Sequence, residues 1–375
     1  MKQSLTAEVT EILSNVPIVK NLARKKFISQ FVLGLIQSRN VQFCQVAQHL
    51  NDKAKVGSNE VRIQDFFREP GRRAVNLDYS CVATLLLSLL PKDKKLRLCI
   101  DRTEWDFGLH QVNILMVVVG YRDLTVPLYW EMLDNNSGNS SCQQRNDLLG
   151  LCIDLIGSER IGLVIGDREF VGHRWLKHLK NRGIRFVMRL PKHHQIHRLD
   201  GRIQRVVTLN LTENKPLTLC DCLVDGVVGH VWVILLDDGD YLFLFGTVDV
   251  KFMGQLYRKR WSIEVCFQNM KKRGFDLEDT HLQDDKKLKK LVALVSIAYA
   301  FCASLGIYYH QKVEKIRKKN HGYKANSFVR KGIDLIQDWF RAENFMPDKV
   351  LNRFRCFIRY IHMIIPRYLP LKMAG

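Results

Sequence analysis

Tyr257, Arg260, Glu264 and Lys271 follow one another at offsets of three, four and seven residues. On an α-helix advancing about 100° per residue, these offsets place all four side chains within a stripe roughly 60° wide. One face would then present a phenol, a guanidinium, a carboxylate and an ammonium together. The carboxylate can hold a divalent metal, and the flanking cations suit phosphate oxygens, a combination fitted to phosphodiester chemistry. Arg260 and Glu264 would equally form an i,i+4 charge pair on a solvated helix, so the stripe alone is compatible with either reading. Met253, Ile263, Phe267 and Met270 lie off the stripe and would anchor the helix in a core.

The Tyr-Arg-Glu-Lys spacing, with Trp261 directly after the arginine, resembles the signature of the DDE transposases of bacterial insertion sequences. It is similar in particular to the insertion-sequence-four group, which includes hairpin-forming cut-and-paste enzymes. The resemblance implies an RNase H-like core whose third metal ligand is Glu264, and it requires two aspartates upstream at the ends of strands. LRLCID is an apolar run ending in Asp101, and RIGLVIGD reads as a buried strand ending at Asp167. IDRTEW, GDREF and FVMRLPKHH resemble the family's motifs around and after those positions. By pattern alone a strand-end aspartate is more often a turn former, and Glu104, Asp106, Asp123, Glu131 and Glu169 lie nearby. The resemblance, spread over more than half of the chain, selects Asp101, Asp167 and Glu264 as catalytic residues and metal ligands.

Such a site implies two Mg²⁺ or Mn²⁺ ions, because hard cations take oxygen ligands and must leave positions for a water and the scissile phosphate. The resemblance further implies that Tyr257, Arg260 and Lys271 hold phosphates near the cut and that Arg189, within FVMRL, contacts the DNA backbone. The resembling enzymes stack a flipped base on an aromatic from a β-rich insertion. Tyr241 lies nearest that position, with Trp232 the alternative.

The elements that must position these residues fit an α/β chain. Its expected architecture is an RNase H-like mixed-sheet core with a β-rich insertion, flanked by helical N- and C-terminal regions. Residues 1–92 read as helical. Lys20–Gln37 and Val41–Leu50 carry apolar residues at helical spacing, and Ser58 is placed to cap a helix running through Glu69. The last two helices resemble a helix-turn-helix, which would offer Asn59, Arg62, Gln64 and Arg68 to DNA. The core is expected over 93–190, opening with a β-meander and continuing through a crossover helix at Gln143–Ile156. The insertion is expected over 191–246, the second part of the core over 247–310, and a helical, basic region over 311–375.

The 375-residue chain is 46% hydrophobic and carries a formal net charge of +20, which points to a polyanionic partner, nucleic acid first and an anionic membrane surface second. Its ten cysteines include no CxxC pair, which argues against a zinc site and suits reduced thiols in a cytosolic compartment, and the resemblance implies a bacterial cytoplasm with the protein at the nucleoid. No signal peptide is expected from MKQSLTAEVTEILSNVP. Leu291–Tyr309 is uncharged and long enough to span a bilayer, but Ser296, Ser304, Gly306 and the lack of a neighbouring span favour a core helix and no membrane partner. Lys286–Lys290 and KVEKIRKKNHGYKANSFVRK would neutralise phosphates.

The function these readings imply is binding of an element's terminal inverted repeats, metal-dependent cleavage of the double-stranded DNA ends, a hairpin intermediate and strand transfer into target DNA by a homodimer. Two other readings use the same residues: a non-catalytic DNA-binding protein derived from a transposase, and a structure-selective nuclease of the same fold.

Overall fold

The computed structural model describes residues 5–50, 54–69, 74–107, 110–134, 138–209, 215–320, 324–342 and 348–364. Five helices come first: α1 (Leu5–Ser14), α2 (Leu22–Ser38), α3 (Phe43–Ala47), α4 (Val56–Phe66) and α5 (Tyr79–Ser88). Short polar side chains set two of their starts. Asn21 accepts from the amides of Ala23 and Arg24 to open α2, and Asp78 accepts from Ser80 and Cys81 to open α5. Ser58 is not a cap, since α4 begins at Val56 and Ser58 lies inside its first turn. Every residue of α2 from Phe27 to Ile36 is buried, which makes it a core helix rather than an amphipathic surface one.

The sheet begins with a meander of β1 (Leu96–Phe107), β2 (His110–Tyr121) and β3 (Leu124–Leu133). Helix α6 (Cys142–Ile156), opened by a Ser141/Gln144 capping box, carries the chain across to β4 (Ile161–Gly166), parallel to β1. Helix α7 (His173–Asn181) then leads to β5 (Phe186–Arg189), parallel to β4. These five strands lie in the order 3-2-1-4-5 with only β2 reversed, the arrangement of an RNase H-like core.

The β-rich stretch contributes β6 (Gln195–His197), β7 (Ile203–Arg205), β8 (Leu217–Val224), β9 (Val227–Leu235) and β10 (Tyr241–Gly246). β10 pairs antiparallel with β5, so the insertion extends the core sheet to ten strands instead of forming a separate layer. Between β7 and β8 the chain makes one 3₁₀ turn over Val206–Thr208, and residues 210–214 lie outside the described residues.

The signature segment follows as α8 (Val250–Tyr257), a 3₁₀ turn (Arg258–Arg260), α9 (Trp261–Gln268) and a π turn (Asn269–Arg273). It is not the single regular α-helix that the spacing predicts. The apolar stretch lies in α10 (Asp285–Lys312), 89% of whose most apolar window is buried, against α2, β3 and α11 (Phe328–Ala342). The close approach of α11 depends on two glycines: a Cβ on Gly306 would overlap the Phe328 carbonyl, and one on Gly332 the Cys302 carbonyl. Helix α12 (Asp348–Ile364) packs back on α1, so helices from both ends of the chain share one core.

Candidate active site

Strand register brings the two aspartates together. In the parallel pair β1/β4, Ile100 stands opposite Gly166, so the next residues, Asp101 and Asp167, leave adjacent strands side by side. Gly166 has no room for a side chain, since a Cβ there would meet Phe170 at 2.8 Å and the Met188 sulfur at 2.9 Å. Asp167 falls directly after β4, as its sequence context predicts. Asp101 does not end its strand. β2 pairs with β1 all the way from Arg97 to Phe107, while β4 departs after Ile100, so Asp101 sits where the parallel partner stops and the antiparallel one continues. The rigidity expected of a strand end is therefore supplied by a strand middle.

The signature segment crosses this point from above. The Cys99 thiol on β1 touches the Lys259 carbonyl at 3.8 Å and the Ser262 hydroxyl at 3.9 Å, which seats the 3₁₀ turn and α9 on the strand carrying Asp101. Arg260 thereby enters the space between the carboxylates. Its Nη1 lies 2.9 Å from Asp101 Oδ2 and 4.0 Å from Asp167 Oδ2, and its Nη2 donates to Glu264 Oε1. One guanidinium thus gathers three carboxylates that stand far apart in the sequence. The Tyr257 hydroxyl donates to Asp167 Oδ1 at 3.4 Å, and its ring lies beneath Arg260, 5.7 Å from the guanidinium carbon.

Burial pushes the Asp101 carboxyl up to about 7, against the pull of Arg260 and of the hydrogen bond from the Arg102 amide. Burial also works against the charge on Arg260, but Tyr257, Asp167, Asp101 and Glu264 outweigh it and hold the guanidinium above the ordinary arginine range. The two directions describe one arrangement: a permanent cation with several anionic neighbours, and a carboxylate with only a share of that cation.

A brace supports the Asp101 side of the site. Arg102 donates from Nε to Glu169 Oε2 at 2.6 Å and from Nη1 to Glu104 Oε1 and Asn113 Oδ1, both at 2.9 Å. Glu169 also accepts from the Ser140 hydroxyl at 2.8 Å, and Arg145 approaches it at 3.8 Å. The Arg102 amide donates to Asp101 Oδ1 at 2.9 Å, so the brace fixes the backbone that carries the aspartate. Arg102 and Glu169 adjoin the two aspartates in sequence, within DRTEW and GDREF, and that adjacency is the only signal that could have singled them out.

The remaining candidates scatter. Lys271 is carried past the carboxylates by the π turn and donates to the Glu104 carbonyl at 2.7 Å, with Glu278 at 3.2 Å. Arg189 reaches Asp167 at 4.0 Å and Asp240 at 3.8 Å, which places it at the rim of the site. Tyr241 follows Asp240 and packs on Phe243, with ring centroids 5.9 Å apart. Trp232 lies against α8, where a Cβ on Gly254 would come within 2.7 Å of its ring; it packs the insertion onto the signature segment.

In the N-terminal region the exposed Arg62 donates to Asn59 and Gln30 at 3.2 Å each, and Arg68 pairs with Asp65 at the surface. Asn59 is itself buried and donates to the Ala47 carbonyl. Lys290, expected among the phosphate-neutralising cations, is instead buried and paired with Glu69 at 2.6 Å.

Asp101, Asp167 and Glu264 are hard oxygen donors of the kind that Mg²⁺ and Mn²⁺ take, and the positive charge they already enclose is that of Arg260. The donor set therefore fits a divalent cation in chemistry and charge. With the guanidinium between them, no group of three or more acidic, histidine or cysteine side chains among the described residues is drawn close enough to hold a metal.

Strand order and converging carboxylates together define an RNase H-like core with an acidic centre. Residues 92–301 match the model of the transposase DDE domain, and the chain belongs to that family. Among solved structures it is similar to the piggyBac transposase, determined by cryo-EM in a synaptic complex with hairpin DNA, at a TM-score of 0.40 and 12% identity over 98% of this chain and 84% of that one. No curated protein matches the chain.

Proposed function

We propose that the protein is a cut-and-paste transposase of the insertion-sequence-four group, acting at the nucleoid in a bacterial cytoplasm. It would bind the terminal inverted repeats of its own element as a homodimer on double-stranded DNA. It would then cleave the ends with Mg²⁺ or Mn²⁺, pass through a hairpin and join the ends to target DNA. The observation that carries this reading is the convergence of Asp101, Asp167 and Glu264 on Arg260.

Asp101 on β1 and Asp167 directly after β4 are placed side by side by the strand register, and Arg260 would have to leave the space between them for their oxygens to take a metal. Glu264 completes the set from α9. When bound, two divalent ions would activate the attacking oxygen and stabilise the leaving one. Arg260 has a second role open to it: its fork suits a phosphate as well as a carboxylate, so it can turn from the acidic centre to the DNA backbone as the substrate enters. Tyr257 beneath it keeps the guanidinium stacked, Arg189 stands beside Asp167, and Lys271 would meet the DNA backbone further along, near Glu104. Base stacking on Tyr241 belongs to this proposal; Trp232 serves packing instead.

The test is incubation of the purified protein with labelled element ends and Mg²⁺, resolved on a denaturing gel. Nicked strands followed by hairpin products are expected. Binding without cleavage in either metal would make the protein a non-catalytic DNA binder, and cutting of branched DNA regardless of terminal sequence would make it a structure-selective nuclease.

A further inference from the structure

The ladder between β1 and β4 stops one residue short of the aspartates it brings together. Its last pair is Ile100 with Gly166, and Asp101 and Asp167 lie just beyond it. Asp101 continues against β2, opposite Met116, while Asp167 leads into a 3₁₀ turn over Arg168–Phe170. Backbone pairing therefore aligns the two strands up to the aspartates without joining the aspartates themselves.

A side-chain pair takes over at that point. Arg102, next after Asp101, donates from Nε to Glu169 Oε2 at 2.6 Å, and Glu169 stands two residues after Asp167. Their side chains are 16% and 11% exposed, so the pair is shielded from the solvent that makes surface pairs slack.

Both ends of the pair are anchored. Arg102 Nη1 reaches Asn113 Oδ1 on β2 at 2.9 Å, and the buried Asn113 amide donates onward to the Gly138 carbonyl at 3.1 Å. The other oxygen of Glu169 accepts from the Ser140 hydroxyl at 2.8 Å. Ser140 is held in turn by Arg145, whose Nε donates to its hydroxyl at 2.8 Å and whose Nη2 donates to its carbonyl at 2.6 Å. The Arg145 guanidinium lies over Phe170, 5.1 Å from the ring centroid. Each oxygen of Glu169 thus has its own partner from a separate element, which leaves the group no freedom to turn. A buried polar network of this kind adds little stability over apolar packing of the same shape, so its place beside both aspartates points to a role in geometry. With both oxygens engaged, Glu169 supports the acidic centre rather than joining it.

We propose that Glu169 is a positioning residue: acting through Arg102, it sets the separation of Asp101 and Asp167 where the β1/β4 ladder no longer does. The inference rests on Asp101 and Asp167 being metal ligands. Mg²⁺ demands near-ideal octahedral geometry, whereas Ca²⁺ accepts about six to eight oxygens in a flexible shell. Loosening the tie should therefore weaken Mg²⁺ far more than Ca²⁺, while the mere loss of one negative charge would weaken both alike.

The test uses the full chain carrying Arg260→Gln, which clears the guanidinium from between the carboxylates. Mn²⁺ binding is followed by electron paramagnetic resonance, and the affinities of Mg²⁺ and Ca²⁺ are read from their displacement of Mn²⁺. Adding Glu169→Ala is expected to weaken Mg²⁺ by about tenfold or more, and Ca²⁺ by clearly less. Glu169→Gln, which keeps an acceptor for Arg102, should recover most of the Mg²⁺ preference. Equal losses for the two ions, a greater loss for Ca²⁺, or no loss overturns the inference and leaves the aspartates standing as ligands. If the Arg260→Gln chain shows no Mn²⁺ binding that Asp167→Asn abolishes, the ligand assignment falls and the inference with it. Should Glu169→Ala fail to fold, Arg102→Lys serves. It keeps the charge and loses the fork, so the ratio of Mg²⁺ to Ca²⁺ affinity should fall, and an unchanged ratio overturns the inference.

Discussion

Asp101 is the residue on which most of the site's electrostatic cost falls. Its carboxyl has an ordinary value of 3.8 and is pushed up to about 7 by burial. A folded-state pKa above the unfolded one contributes stability that is complete below the unfolded value and is lost as pH rises through the folded value. The metal-free protein should therefore lose stability from this group between pH 3.8 and about 7. In EDTA, Asp101→Asn is expected to melt close to the natural protein at the acid end of that window and above it at pH 8, by a difference on the order of a few kcal/mol at most. The same variant should cleave no DNA. Equal melting curves at pH 8 would show that Arg260 fully compensates the buried charge. That Asp101 and Asp167 would be candidates for one site was readable from their sequence contexts, but the shared guanidinium was not. The Tyr-Arg-Glu-Lys spacing puts Arg260 and Glu264 on one face, and only the β1/β4 register places the aspartates beneath that face.

At the scale of elements, the paired helices carry the most exacting contacts. Lys290 on α10 and Glu69 just beyond α4 form an ion pair with side chains only 3% and 8% exposed. Lys290→Ala would strand a buried carboxylate and should destabilise the fold by about 3–5 kcal/mol in urea titration. Lys290→Met/Glu69→Leu should recover most of that loss. A surface lysine would give less than about 1 kcal/mol, and such a result would place Lys290 in solvent. Gly332 presents a different constraint. Because an added Cβ would overlap the Cys302 carbonyl, Gly332→Ala must push α11 off α10, and a loss of about 1–3 kcal/mol is expected by the same measurement. Neither contact could be read from a single sequence. Lys290 lies in the basic run Lys286–Lys290, and a glycine inside a helical pattern does not announce which backbone it meets. The signature segment shows the same limit, since a regular α-helix predicts Lys271 alongside Glu264, and the π turn after Gln268 carries it to Glu104 instead.

For the whole molecule, the balance of charge sets how DNA binding responds to salt. A chain with net charge +20 should release many counterions on binding DNA. Affinity for a generic duplex is expected to fall by on the order of 10³-fold or more between about 50 and 200 mM salt, measured by fluorescence anisotropy. A nearly flat salt dependence would mean that the charges are spent within the fold. One is: Lys290, which the sequence offers to DNA, is buried against Glu69.

The sequence by itself determined which residue types are available for chemistry and the order of the elements. Residue types at helical spacing, apolar runs ending at or passing through acidic residues, and a large excess of cations are local or additive properties, and a linear chain displays them directly. What only the tertiary structure decided were the relations between distant segments. The pairing of β10 with β5 merged the insertion into the core sheet, and the burial of α2 and α10 drew the two ends of the chain around one interior. Arg260 came to rest among three carboxylates, and basic side chains from the end of α2, β1, the signature segment and α11 came to line one groove. Each depends on strand register or on helix packing distance, which arise from contacts between residues remote in sequence and leave no periodic trace in any one segment.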